Sequence, residues 1–197
     1  MENLQITDIE PCYEHAVVLS SVWSRTWPQI AINSGYSIEE ILKRLEHRSI
    51  SWWIKAIEKM KLGFYIKDLT TGATGICYVM NDSDFLVLEN QKVTDELRSK
   101  CDIYPNVYSF LEKETWGSEL SKVLGKKLIQ KSINAGIEKL GGWVMKTNKR
   151  SSAAAKKGNW ILLHEIGNPI WEPNINFEYW IFDNNSYLKK FENHDNN

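Results

Sequence analysis

The chain has 197 residues, 43% of them hydrophobic and 25% charged, enough apolar material for one folded core and too much for a disordered chain. A net charge of -1 gives no electrostatic footprint for a nucleic-acid partner, and no apolar run approaches the length that spans a bilayer. Cys12, Cys77 and Cys101 are odd in number and widely spaced, with no C-x-x-C pair, which predicts reduced thiols in a cytoplasmic protein and neither a disulfide frame nor a metal site.

The amino end lacks a basic stretch followed by an apolar one, so no signal peptide is expected. Residues 1–190 are expected to form a single domain and residues 191–197 a polar tail. Leu4 and Ile6 open a first strand, and Asp8 is placed as the N-cap of a helix over about residues 10–27. Ala16, Leu19, Val22 and Trp23 recur there at helical spacing, and Pro28 with Asn33-Ser34-Gly35 is expected to end it. Ser37 and Glu40 have the spacing of a capping box, ahead of Ile38, Ile41, Leu42 and Leu45 on one helical face. A further helical piece over about residues 51–60 carries Trp52, Trp53, Ile54 and Ile57.

The period then changes to two. Leu62, Phe64 and Ile66 alternate, Thr70-Thr71-Gly72 turns, and residues 75–80 read as the partner strand of a hairpin. Between 81 and 106, residues 85–88 read as a short strand and 93–101 as a helical turn or two. Strands follow at 107–111, 143–147, 161–165 and 176–182, with a short Ala-rich helix at 151–157. The order implies an α+β domain with a mixed sheet.

Trp116-Gly117-Ser118-Glu119-Leu120-Ser121-Lys122 is the stretch with the most chemistry. A strand leads into a tight loop, and a helix reaching to about Leu140 opens directly behind it. The first turn of a helix leaves backbone N–H groups without intrahelical partners at the positive end of its dipole, a setting suited to a phosphate or pyrophosphate. His15, His47, His164 and His194 stand alone, with no partner at ligand or triad spacing. Lys122 starts the helix near such an anion, whereas Lys126 and Lys127 read more simply as its solvated face. Trp23, Trp27, Trp52, Trp53, Trp116, Trp143, Trp160, Trp171 and Trp180 read mostly as core, since each carries a large apolar area.

These spacings resemble the GNAT superfamily of acyl-CoA-dependent N-acyltransferases. The family's phosphate loop, Q/R-x-x-G-x-G/A, corresponds here to Trp116 through Ser121. Asn148 follows at the interval of the family's strand-end asparagine, Ser151 stands three residues later as in a serine branch, and Asn159-Trp160 occupies a Gly-Phe slot. The resemblance implies a mixed, mostly antiparallel twisted sheet flanked by helices, with a V-shaped splay between two central strands. It also implies an acetyl-CoA co-substrate, no metal, and an acceptor that is a primary amine of a small molecule or peptide terminus. A homodimer through the last strands is compatible with the family.

By the same resemblance, Trp116, Gly117, Ser118, Glu119, Leu120, Ser121 and Lys122 hold the coenzyme pyrophosphate, and Phe110, Leu111 and Asn148 contact its pantetheine arm. The backbone N–H of Leu111 stabilises the oxyanion, and Ser151 or Ser152 protonates the departing thiolate. Trp27 and Trp53 border the acceptor pocket. Three departures stand against this: Glu119 at a family glycine, Ala155 at a common tyrosine acid, and Pro105 and Val107 where a strand glutamate is usual. They leave open a GNAT-fold protein that has lost acyl transfer and serves as a binding or regulatory module, and an unrelated α+β interaction protein.

Overall fold

The strand β3 (Thr74–Met80) is buried along its whole length. Ile76, Tyr78 and Met80 join one hydrophobic core, while Cys77 and Val79 join another, because successive side chains of a strand point to opposite faces. A strand coated on both sides has to lie inside a sheet with helices over each face. The computed structural model, which describes residues 3–166 and 175–187, has that arrangement.

Seven strands form one sheet: β1 (Leu4–Asp8), β2 (Leu62–Asp68), β3, β4 (Asn106–Leu111), β5 (Lys139–Met145), β6 (Ile161–Ile166) and β7 (Phe177–Asp183). Their spatial order is β1-β2-β3-β4-β5-β7-β6, antiparallel throughout except between β4 and β5. On one face lie α1 (Tyr13–Asn33), α2 (Ile38–His47) and α3 (Ile50–Lys59), packed through Leu19, Trp23, Trp27, Trp53 and Ile57 against Ile76 and Tyr78. On the other lies α6 (Glu119–Asn134), whose Leu120, Leu124 and Leu128 repeat at four-residue spacing and pack on Phe64, Ile66, Val79 and Leu140. Each buried leucine of that stripe contributes about 1.5–3 kcal/mol. The remaining helices are α4 (Asp82–Leu88), α5 (Asp95–Cys101) and α7 (Lys149–Lys157). Among the described residues, no helix is long and apolar enough to cross a membrane.

The capping box forms: the Glu40 N–H donates to Ser37 Oγ at 3.2 Å, and the Ser37 N–H donates to Glu40 Oε2 at 2.8 Å. Four expectations fail. Asp8 ends β1 and pairs with Lys131, leaving Cys12 as the N-cap of α1. The helix α1 runs through Pro28 to Asn33. A proline inside a helix costs about 3 kcal/mol, but Trp27 and Ala31 on either side are 5% and 0% exposed, and their burial offsets it. The helix stops at Gly35, at φ +93°, where the Tyr36 N–H donates back to the Ala31 carbonyl at 3.1 Å.

The third failure is the strand expected at residues 85–88, which lies in the helix α4. Its Asp82, Ser83 and Leu86 are buried, and Phe85 stacks on Tyr108 with ring centroids 5.1 Å apart. Finally, α6 ends at Asn134 before Gly136 (φ +69°), so Leu140 belongs to β5. The expected tail at 191–197, Trp171 and His194 lie outside the described residues.

Candidate active site

The two central strands, β4 and β5, pair at one position. Asn106 of β4 pairs with Gly141 of β5, and the Gly141 N–H donates to the Pro105 carbonyl at 2.8 Å. Beyond that crotch the parallel strands part, giving the V-shaped splay. The register of β4 on β3 tells which peptide groups face the opening. Glu112 N–H donates to the Thr74 carbonyl at 3.5 Å, so the β4 residues in phase with Glu112, among them Phe110 and Tyr108, turn their peptides toward β3. Ser109 and Leu111 therefore turn theirs into the splay. That turns the Leu111 N–H toward the opening, but turns the Phe110 backbone toward β3 and leaves Ser109 on the open edge. Only the pairing register, which the residues themselves do not display, distinguishes the two.

Glu112 fixes the end of β4. Its carboxylate accepts from the Thr74 N–H at 2.7 Å and pairs with Arg25 of α1 at 2.6 Å. A short turn, Lys113–Thr115, leads to Trp116 and then to Gly117, whose φ of +73° lets the chain reverse into α6. Ser118 is the N-cap residue, yet its hydroxyl donates to the Thr115 carbonyl at 2.5 Å instead of capping the helix. The Lys122 N–H reaches the Ser118 carbonyl at 3.4 Å. Ahead of it, the amides of Glu119, Leu120 and Ser121 belong to the turn for which a helix has no carbonyl partners.

Glu119 does not fill this mouth. Its side chain is 57% exposed and lies 3.6 Å from the Lys122 ammonium, while Leu120 next to it is buried in the core. Trp116 does reach the opening: its indole N–H donates to the Leu111 carbonyl at 3.0 Å, and the guanidinium of Arg150 lies 3.9 Å over its ring.

Across the splay, Asn148 is the N-cap of α7, accepting from the Ser151 N–H at 3.2 Å. Ser152 donates to Glu178 Oε2 at 2.6 Å, a carboxylate that also accepts from the Trp180 indole at 3.1 Å. Ser151 is half-buried at the first turn of α7. Asn159 has φ +61°, the left-handed conformation that suits asparagine in a glycine slot, and the Trp160 N–H closes the helix on the Ala155 carbonyl at 3.0 Å. Trp27 and Trp53 are 5% and 0% exposed and pack around Trp23, so their indoles serve the α1–α3 core. His164 packs its ring near Trp143 and Tyr179.

One acidic residue stands out that the residue pattern did not single out. Asp82, at the first turn of α4, is buried at the crotch, where its carboxylate accepts from the Tyr108 hydroxyl at 2.8 Å and from the Trp143 indole at 2.5 Å. It thereby spans β4 and β5 just where they part. Burial is the main cause that pushes its carboxyl up to about 7; the Trp143 and Tyr108 hydrogen bonds oppose this and the nearby Asp102 charge adds to it. The Tyr179 hydroxyl and the Asn106 amide oxygen converge on Gly141, and the Asn106 oxygen has no hydrogen-bond partner among the described residues. The available signal was Asn81-Asp82-Ser83-Asp84 behind an apolar strand, a helix start that the strand reading of residues 85–88 obscured.

No protein-family model and no curated protein matches the sequence. Solved structures do match the fold. Mutant forms of the spermidine/spermine N-acetyltransferase SpeG from Vibrio cholerae superpose with a TM-score of 0.61 at 8% identity, covering 96% of this chain and 99% of that one. A GNAT-family acetyltransferase from Streptococcus pneumoniae gives 0.55 at 14%, covering 91% and 98%. The protein yncA of Salmonella typhimurium, solved with acetyl-CoA, gives 0.56 at 8%, covering 92% and 94%. At such identities the likeness is one of architecture: this chain has the fold of the GNAT acetyltransferases.

Proposed function

We propose that the protein is an acyl-CoA-dependent N-acetyltransferase acting on a primary amine of a small molecule or a peptide terminus. The observation that carries the reading is the parting of β4 from β5 directly beside the first-turn amides of α6. Both features fit coenzyme A by their chemistry. The amides of Glu119, Leu120 and Ser121 suit an anionic diphosphate, and the backbone of Ser109 with the N–H of Leu111 offers a strand edge, unpaired with β5, to an amide-bearing arm. When bound, the co-substrate supplies an activated acetyl thioester. The Leu111 N–H would donate to the oxygen that gains charge at the acetyl carbonyl, and Ser151 would supply a proton to the departing sulfur. Ser152 is the lesser candidate because its hydroxyl proton is engaged by Glu178.

The exposure of the Glu119 carboxylate, 3.6 Å from the Lys122 ammonium, supports this reading, since solvent screens it from a bound anion. SpeG, a spermidine/spermine acetyltransferase of the same fold, supports a small amine as acceptor. A cytoplasmic setting fits the free thiols of Cys12 and Cys77. A second copy would pair along the edge strand β6, where Ile161, Leu162 and Leu163 are exposed.

A second reading, a binding or regulatory module without transfer, draws on Trp116, whose indole occupies the Leu111 carbonyl that the co-substrate needs. Thermal unfolding with coenzyme A and thiol release from acetyl-CoA over an amine panel separate the two. A ligand at 100 times its Kd adds about 2.7 kcal/mol of stability. Stabilisation with thiol release supports the enzyme, stabilisation alone supports the module, and neither contradicts both.

A further inference from the structure

We propose that Asp82 is the base that takes the proton from the amine substrate, an assignment that rests on the acetyl-transfer reading above. The positions where the family places a strand glutamate are Pro105 and Val107 here, and neither side chain can accept a proton. Asp82 brings a carboxylate to the same crotch from a different element, the first turn of α4. Tyr108 from β4 and Trp143 from β5 each donate to one of its oxygens, so both strands that border the cleft hold it in place.

The surroundings suit an ammonium ion. The rings of Tyr108, Trp143 and Tyr179 lie about the carboxylate, with Trp143 and Tyr179 4.3 Å apart between centroids. Aromatic faces beside a carboxylate attract an organic cation. The Asn106 amide oxygen, buried without a partner among the described residues, supplies a further polar atom at Gly141. A buried polar atom left unpaired costs about 1–3 kcal/mol, so a water or a substrate nitrogen that bonds to it is favoured.

The proton balance is simple. A primary amine arrives as an ammonium ion and has no lone pair to offer. It gives one proton to the Asp82 carboxylate. The freed nitrogen lone pair forms the amide N–C bond as the C–S bond of the thioester breaks. Ser151 gives its proton to the departing sulfur, which leaves as a thiol. The surplus proton on nitrogen restores the Ser151 hydroxyl, and Asp82 returns its own proton to water. A carboxyl near 7 is matched to this task at neutral pH, whereas an ordinary aspartate is too weak a base. The groups facing it are Asp102 behind α5, Tyr108 and Asn106 on β4, Trp143 on β5 and Tyr179 on β7; Tyr78 on β3 and Arg48 behind α2 act on it through Tyr108.

The test is an infrared titration of the carboxyl C=O stretch, taken as wild type minus Asp82→Asn, with and without propylammonium, alongside coenzyme A binding by both proteins. The inference expects a carboxylic acid that titrates near neutrality, ionises at lower pH when propylammonium is present, and vanishes in the variant, while coenzyme A binds both forms alike. It expects the milder Tyr108→Phe variant, which loses the hydrogen bond to the ionised form, to titrate higher than wild type. Where an amine is acetylated, kcat/KM should fall about 100-fold or more in Asp82→Asn and lose its acid limb. A carboxyl that titrates in the ordinary aspartate range, or is indifferent to propylammonium, overturns the assignment even if coenzyme A binds. Failure of coenzyme A to bind wild type removes the transfer reading itself.

Discussion

The guanidinium of Arg150 lies 3.9 Å over the ring of Trp116, and so α7 on one side of the splay is tied to the loop ahead of α6 on the other. The indole N–H of that same tryptophan donates to the Leu111 carbonyl, which faces the opening. Any ligand that pairs with the strand edge there has to displace it.

Trp116→Phe keeps an aromatic face for Arg150 but has no N–H to give. A net hydrogen bond of this kind contributes about 0.5–1.5 kcal/mol, so its loss should tighten coenzyme A binding about 2- to 10-fold. Isothermal titration calorimetry reads this directly. Weaker binding in the variant would mean that the indole is a ligand contact and not an obstacle.

Glu119→Gln tests the acid at the glycine position. A carboxylate about 4 Å from a phosphate at an effective dielectric near 20 would cost about 4 kcal/mol, close to a 1,000-fold loss of affinity. The Glu119 side chain is 57% exposed and sits beside Lys122. We therefore expect the Kd for coenzyme A to change less than about 3-fold at physiological salt, since exposed charges are screened. A gain of 100-fold or more would show that the acid turns inward.

Asp82 sets a pH dependence of stability. Its carboxyl is pushed up to about 7 in the fold from an ordinary 3.8. Between those values the folded state holds a proton that the unfolded chain has released, so stability falls as pH rises through this window. The contribution is complete below about pH 4 and gone above about pH 7, with a ceiling on the order of 4 kcal/mol. Asp82→Asn removes the dependence. Its Tm should therefore gain on wild type as pH is raised from about 5 to 8; parallel curves would contradict the burial argument.

The crotch itself can be wedged. A Cβ at Gly141 would lie 2.1 Å from the Tyr179 hydroxyl and 2.7 Å from the Asn106 amide oxygen, so Gly141→Ala should destabilise by about 1–3 kcal/mol. Gly125, inside α6, meets nothing within 4 Å, and Gly125→Ala should stabilise by about 0.5–1 kcal/mol through helix propensity alone. Denaturant midpoints for the pair give the comparison, and equal effects would refute the packing described for Gly141.

Local rules reached much of this fold. The Ser37–Glu40 box, the hairpin around Gly72 and the positive φ of Asn159 follow from neighbours in the chain, and the structure carries all three. What escaped was decided by distant partners. Pro28 is carried inside α1 by the burial of Trp27 and Ala31, which no turn signal reports. Residues 85–88 have the look of a strand, but Phe85 stacking on Tyr108 and Leu86 burial hold them helical. In the candidate site, the order of strand, loop and helix from Leu111 to Lys122 was legible from spacing. The exchange of Phe110 for Ser109 depends on the β3–β4 register, and Asp82 matters only because β4 and β5 bring Tyr108 and Trp143 to it.

The most direct test follows backbone amide resonances of the whole chain by nuclear magnetic resonance as coenzyme A is added. The account predicts saturable shifts greatest at Leu111 and from Glu119 to Ser121, where the parted strand edge meets the start of α6. Saturation with those amides unmoved, or no binding at millimolar coenzyme A, would contradict it.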